Sequence, residues 1–237
     1  MCGRFYIVQL YEEVAARFGV TIPGWTSDIR ITPRFNAAPG QRIAAVRATG
    51  SARELAAPKW GLIPRWSNDD AIASKTANAR SETAHEKPSF REAFAKRRCL
   101  IPASGFYEWK QTASGKQPVA VHLEDEPLYA MAGLWETWRD PATGTDLDTA
   151  TVLTCEANDF IAGMHPRMPV ILPDSAWERW LDPGTTTDDA RGLCRPLPAG
   201  RMTSHAVSRR VNDVKNDDRS LIQPVEADPG GLFEHSG

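Results

Sequence analysis

The sequence predicts an α+β fold: a mainly antiparallel, barrel-like β-sheet core with peripheral helices. Three observations carry the prediction. β-rich runs outnumber helical ones, no regular strand–helix–strand alternation appears, and neither a repeat nor a low-complexity segment divides the chain in two. The strand-like runs are Arg42–Arg47, Cys99–Trp109, Pro118–Leu123, Leu128–Trp138, Thr149–Cys155, Val170–Leu172 and Met202–Val207. Of the helices, Tyr11–Phe18 is stopped by Gly19, which favours the left-handed cap. Ser89-Phe-Arg-Glu92 after Pro88 has the spacing of a capping box and opens a helix through Lys96. Asp174–Leu181 (DSAWERWL) is a third helix with an acidic start. Residues 1–227 form one domain, and 228–237 (DPGGLFEHSG) form a flexible tail.

The 237 residues suffice for a substantial core, and 41% hydrophobic with 24% charged residues is the balance of a globular domain. No apolar run approaches the roughly 18 residues needed to cross a bilayer. Charges interrupt the first 18 residues where a secretory signal needs an unbroken apolar stretch, so a cytoplasmic protein is expected. The four cysteines (Cys2, Cys99, Cys155, Cys194) are far apart, with no C-x-x-C pair and no histidine at zinc-ligand spacing. Reduced thiols, no metal and no cofactor are expected.

A net charge of −2 argues against a protein that coats nucleic acid indiscriminately, yet the average hides a polarity. Residues 1–110 hold 17 Lys/Arg against 10 Asp/Glu, whereas residues 111–237 hold 11 against 20. Of the 28 basic residues, 21 are arginine, the side chain suited to bidentate phosphate contacts. An arginine-biased genome explains that count equally well; the polarity suggests a localised anionic partner without proving one.

Met-Cys-Gly-Arg at the amino terminus is the sharpest chemical feature. Removal of Met1 leaves Cys2 with an α-amine beside its thiol. With reference pKa values of about 7.7–8.0 and about 8.5, both nucleophilic forms are accessible near neutral pH. Such an aminothiol condenses with an aldehyde to a five-membered thiazolidine, or its thiol attacks an amide carbonyl. A merely small second residue is the bland alternative. Asn78-Ala-Arg80-Ser-Glu82 puts Asn78 and Arg80 on one face of an extended segment, where they suit a sugar oxygen and a phosphate, although a solvated turn explains the run as simply. In Gly105-Phe-Tyr-Glu108-Trp109 a carboxylate stands among aromatics. If buried it gains a raised pKa fit for proton transfer; if it faces solvent it is an ordinary strand residue. His165-Pro-Arg167-Met-Pro169 holds an acid/base histidine between prolines. Trp60 and Trp66 in WGLIPRW suit base stacking or, for one of them, the core.

Together these segments resemble the SRAP family (SOS-response-associated peptidase), the abasic-site processing proteins. The matching runs are MCGRF at 1–5, RFNAAPG at 34–40, WGLIPRW at 60–66, NARSET at 78–83, IPASGFYEW at 101–109, LTCEAN…MHPRMPVIL at 153–172 and VSRRVNDVKNDDRSLIQPV at 207–225. They occur in family order and span nearly the whole chain. Cys155, where a threonine is common, and Lys215, where arginine is usual, depart from the family pattern.

The resemblance implies an SRAP fold and a set of roles. Cys2 would be the crosslinking nucleophile, Asn78 would hold the opened deoxyribose, Glu108 would be the base beside the Cys2 amine, and His165 would protonate the sugar ring oxygen. Thr154 would place a hydroxyl near the site. Arg4, Arg80 and Arg167 would contact phosphates, while Asn36, Pro39, Trp60 and Trp66 would line the DNA groove. The implied function is an abasic-site sensor acting as a monomer on single-stranded DNA, near the nucleoid or replication fork. It would form a thiazolidine crosslink that shields the strand from cleavage, with self-directed peptidase and latent lyase chemistry at the same site. The rival readings are an N-terminal-nucleophile glutamine amidotransferase and a passive single-strand-binding module.

Overall fold

Strands form wherever apolar and β-branched residues alternate or run continuously, and they assemble into two sheets. The structure, a computed structural model, describes residues 2–24, 31–50 and 52–226. The first sheet has five strands in the order β14 (Met202–Ala206), β9 (Gly115–Leu123), β8 (Gly105–Thr112), β1 (Phe5–Ile7) and β2 (Arg34–Ala37). The second has nine. Its main path runs β12 (Arg167–Pro169), β11 (Asp146–Glu156), β10 (Tyr129–Arg139), β7 (Arg98–Ala103), β3 (Ala45–Thr49) and β4 (Ala52–Ala56). Off that path, β13 (Ile171–Leu172) pairs with β10, while β5 (Lys59–Trp60) and β6 (Asn78–Arg80) pair with β11. Pairing is antiparallel except where β5 and β6 lie parallel to β11. The α+β, mainly antiparallel expectation holds, and the barrel is replaced by two open sheets.

The second sheet forks where chemistry is expected. β10 and β11 pair from Arg139/Asp146 as far as Gly133/Val152 and then part. β12 and β13 fill the fork: β12 pairs with β11 from Thr154 to Glu156, and β13 pairs with β10 at Ala130 and Met131. Val170 between them bonds both walls, accepting from the Ala132 N–H at 2.8 Å and donating to the Leu153 carbonyl at 2.9 Å. On its other edge β11 carries β6, with Thr154 level with Arg80. Thr154 is therefore flanked by segments 74 and 15 residues away in sequence, Arg80 and Pro169.

β1 and β8 separate two apolar clusters by alternation. Phe5, Ile7 and Phe106 face the main core with Trp60 and Trp180, whereas Tyr6 and Tyr107 face a smaller cluster with Phe35, Val207, Val211 and Leu221. Both faces of β8 are thus covered. Burial of each of these large side chains contributes about 1.5–3 kcal/mol. The close approach of β1 and β8 requires Gly105, because a Cβ there would stand 2.2 Å from the Tyr6 hydroxyl.

The helices lie outside the sheets. α1 (Tyr11–Phe18) ends at Gly19, whose φ of 63° is the left-handed cap expected from sequence. The expected capping box at Ser89 does not form: α2 (Ser81–Ala84) is followed by α3, which starts later, at Arg91–Lys96, with Phe90 at its cap. After α4 (Asp159–Ala162), α5 (Asp174–Leu181) has the predicted bounds. There Asp174 receives both guanidinium nitrogens of Arg17 at 2.7 Å rather than capping the helix. α6 (Thr187–Leu193) completes the set of α-helices among the described residues. No helix among those residues is long and apolar enough to cross a membrane. The expected tail at 228–237 lies outside the described residues.

Candidate active site

The amino-terminal arm enters the site along β8. Phe5 pairs with Phe106 and Tyr6 with Gly105, and the Tyr107 N–H donates to the Arg4 carbonyl at 3.0 Å. Continuing the register brings Gly3 level with Glu108, so Cys2 enters beside that carboxyl. From the second sheet, the Asn78 Nδ2 donates to the Cys2 carbonyl at 3.0 Å. Residues 2, 78 and 108 are brought together by one strand pairing and one hydrogen bond.

Glu108 is 4% exposed and faces the main-core side of β8, so the solvent-facing alternative is excluded. Its Oε1 and the Asn78 Oδ1 are buried without hydrogen-bond partners. Leaving two acceptors unpaired costs about 1–3 kcal/mol each, an expense that marks a site awaiting donors. Burial pushes the Glu108 carboxyl up to about 7, with the Trp109 N–H pulling the other way. The Cys2 side chain is 0% exposed, and burial, reinforced by the charge on Glu108, pushes its thiol well above the usual range. Burial therefore disfavours the thiolate form of Cys2 in this structure.

His165 stands in the loop between α4 and β12, its N–H donating to the Ile161 carbonyl at 2.9 Å. Its Nδ1 lies 2.9 Å from the Arg167 N–H and 3.1 Å from the Arg167 carbonyl. The neutral ring accepts from the first and the protonated ring donates to the second, so the loop serves both protonation states. Burial lowers the His165 pKa below its usual value, against the raising effect of the Arg167 backbone. The loop is tied to Thr154, whose carbonyl accepts from Arg167 Nη2 at 2.5 Å. The Thr154 hydroxyl donates to the Ala79 carbonyl at 3.4 Å.

The expected DNA-contacting residues divide by burial. Pro39 and Arg80 are exposed, Trp66 is 60% exposed, and Arg80 makes no ion pair among the described residues. Trp60 is fully buried and its Nε1 donates to the Ala77 carbonyl at 2.6 Å, which fixes the segment entering β6. Asn36 is also fully buried. Its Nδ2 donates to the carbonyls of Val211, Asp213 and Asn216, and its Oδ1 accepts from Arg4. Arg4 additionally donates to the carbonyls of Val211 and Asn212 at 2.6 and 3.1 Å. Trp60, Asn36 and Arg4 therefore hold the protein together in this structure rather than presenting themselves to a ligand. Arg167 is largely covered and held by Glu82, with Nη1–Oε1 and Nη2–Oε2 distances of 2.7 Å. Glu82 had no role assigned from sequence, although its place two residues after Arg80 was visible.

The chain is thus an α+β protein in which a buried carboxyl and an asparagine stand beside Cys2. The family model for SOS response associated peptidase (SRAP) matches residues 1–214, and the chain belongs to that family. It is 39% identical over 225 residues to the abasic site processing protein YoqW of Bacillus subtilis, covering 94% of this chain and 99% of that one. It is 34% identical to the abasic site processing protein HMCES of Gallus gallus, covering 86% and 70% of the two chains. A crystal structure of a protein from Bacteroides thetaiotaomicron superposes with a TM-score of 0.86 at 27% identity, over 95% of this chain and 100% of that chain.

Proposed function

We propose that this protein processes abasic sites by forming a thiazolidine crosslink between Cys2, freed of Met1, and the aldehyde of the opened deoxyribose in single-stranded DNA. The observation that carries the reading is the pair of unpartnered buried acceptors, Glu108 Oε1 and Asn78 Oδ1, on either side of Cys2. A sugar hydroxyl and a protonated amine are the donors such acceptors lack.

An abasic sugar rests mainly as a closed hemiacetal. His165 gives a proton to the ring oxygen, the ring C–O bond breaks, and the anomeric hydroxyl loses its proton to water as it becomes the aldehyde carbonyl. The Cys2 amine, deprotonated by Glu108, adds to the aldehyde carbon, and the carbinolamine loses one water to form an imine. The sulfur then adds to the imine carbon, its proton passing through Glu108 to the ring nitrogen. One C–N and one C–S bond form, one water leaves, and no oxidant is needed. A thiol held as S–H makes the amine the first nucleophile and the sulfur the second. Ring closure removes the imine that would otherwise promote β-elimination and strand breakage. Stopping at the imine leaves a lyase, and the same carboxyl beside the Met1–Cys2 bond suits self-removal of Met1.

Exposed Trp66, Arg80 and Pro39 supply a stacking surface and a cation for the strand. The test mixes purified protein with single-stranded DNA carrying one abasic site and separates the products on a denaturing gel, with the intact mass of the protein read in parallel. A stable adduct is expected only from protein lacking Met1. Cys2→Ala loses the adduct and retains strand cleavage through its new terminal amine; a wild-type yield of adduct from that variant overturns the reading.

A further inference from the structure

Arg167 is not an open phosphate fork in this structure, because a carboxylate already fills it. Glu82 takes Nη1 and Nη2 in parallel at 2.7 Å, the geometry in which guanidinium binds either carboxylate or phosphate. We propose that Glu82 is a built-in competitor for a backbone phosphate of the bound strand: it occupies the Arg167 fork in the DNA-free protein and yields it when DNA arrives. The proposal rests on the reading that this face binds single-stranded DNA.

Three features make Glu82 the member of the pair that leaves. Arg167 is fixed from behind: Nη2 also donates to the Thr154 carbonyl, and the backbone N–H of Arg167 is spent on His165. Glu82 is held besides only by its own backbone N–H and the nearby charge of Arg80 among the described residues, and its side chain is 45% exposed against 13% for Arg167. Glu82 also lines an open cavity of about 440 Å³ between α2 and α6, whose wall includes Arg191. The departing carboxylate thus has room and a cation to turn toward, since Arg191 is paired here with exposed Asp188 at 3.0 Å.

The exchange is energetically feasible. One anion replaces another in the same bidentate geometry, so Arg167 is never left buried without a counter-charge during the exchange. Arg80 on the adjoining strand is exposed and without an ion pair among the described residues, which places a second cation where the phosphate approaches. A competing anion also makes the face selective. A lone phosphate must displace Glu82 at Arg167 alone, whereas a strand engaging Arg80 and Trp66 at the same time brings further contacts to the exchange.

The test measures binding of a single-stranded oligonucleotide bearing tetrahydrofuran, an abasic mimic with no aldehyde, across a salt series. Glu82→Gln keeps the shape and removes the charge. It is expected to bind about 10-fold tighter at low salt with the slope of log K against log salt unchanged, because Arg167 meets the same phosphate in both complexes and only the competing anion is gone. The gain should vanish in an Arg167→Gln background. Glu82→Asp, which keeps the charge but shortens the reach, is expected to give a smaller gain and serves if the Gln variant fails to fold. Unchanged or weaker binding, in variants that melt like the wild type, overturns the proposal and leaves Glu82 as a fixed prop for Arg167. Parallel reactions with a true abasic oligonucleotide separate the two failures. Adduct formation by the wild type without a gain in Glu82→Gln refutes only the competitor; absence of both binding and adduct in the wild type refutes the function and the competitor with it.

Discussion

The molecule buries two glutamates almost equally, Glu108 at 4% and Glu136 at 3% exposure, and treats them in opposite ways. Around Glu136 on β10 every oxygen is engaged. Oε1 accepts from Arg65 Nε at 2.7 Å and from the Thr137 N–H at 3.0 Å, and Oε2 accepts from Arg97 Nη2 at 2.6 Å. That network locks the WGLIPRW loop against the second sheet. Around Glu108 on β8, Oε1 has no partner, and burial has raised the carboxyl to about 7. The comparison teaches that burial alone does not mark a functional carboxylate. What distinguishes the two is whether fixed donors neutralise the charge or whether the acceptor is left for a substrate or a proton.

Glu136→Gln is the most disruptive test of that contrast. It removes the buried one of Arg97's two carboxylates and leaves only half-exposed Glu92 at 3.1 Å, and breaking such a buried pair costs about 3–5 kcal/mol. At about 2–4 °C per kcal/mol for a chain of this size, thermal melting should fall by about 10 °C. Adduct formation by the fraction that remains folded should be close to wild type.

Glu108→Gln should move both quantities the other way. Loss of the base lowers adduct formation by about 100-fold. Stability rises, because the variant no longer carries a desolvated carboxylate. A carboxyl raised from 4.5 to about 7 binds its proton more tightly in the folded state, so the wild type loses stability as pH climbs through that window. The advantage of the variant should be absent below pH 4.5, grow toward pH 7 and be complete above it, on the order of 1–3 kcal/mol. Melting curves at pH 4, 6 and 8 check the sign, and equal shifts at all three would show that Glu108 is not the carboxyl that titrates.

Trp66→Ala sharpens the comparison from outside it. Trp66 follows the residue that Glu136 anchors, yet it is exposed. Its removal should cost about 1–3 kcal/mol of single-strand affinity and change folding stability by no more than about 0.5 kcal/mol. Titration of the tetrahydrofuran oligonucleotide alongside a melt measures both.

Much of the sheet was legible because its strands announce themselves locally. Leu128–Trp138 and Thr149–Cys155 anticipate β10 and β11 to within a few residues, and α5 has the predicted bounds. The run Cys99–Trp109 conceals a break at Ser104, where the chain leaves one sheet for the other. β1, β5, β6 and β12 are two or three residues long, too short for periodicity to reveal, and they exist because neighbouring strands supply their hydrogen bonds; β13, equally short, falls within the strand-like run Val170–Leu172. Within the site, Cys2, Asn78 and Glu108 were legible as chemistry. The structural roles of Asn36 and Arg4 were not legible because their partners lie at remote positions: Asn36 meets residues 175–180 positions away, and Arg4 meets carbonyls 207 and 208 positions away. No local pattern distinguishes a polar side chain that clasps distant backbone from one that reaches for DNA. Glu82 was overlooked for the same reason, since Arg167, its partner, is 85 residues on.

The clasp by Arg4 has a consequence for how the protein is made. Its carbonyl partners, Val211 and Asn212, leave the ribosome about 207 residues after the arginine itself. At about 5–20 residues per second that is an interval of about 10–40 seconds. During that time Arg4 and Asn36 lack the distant carbonyls that clasp them. A truncated product ending before Val211 would therefore keep both side chains but could not close the clasp that fixes the amino-terminal arm.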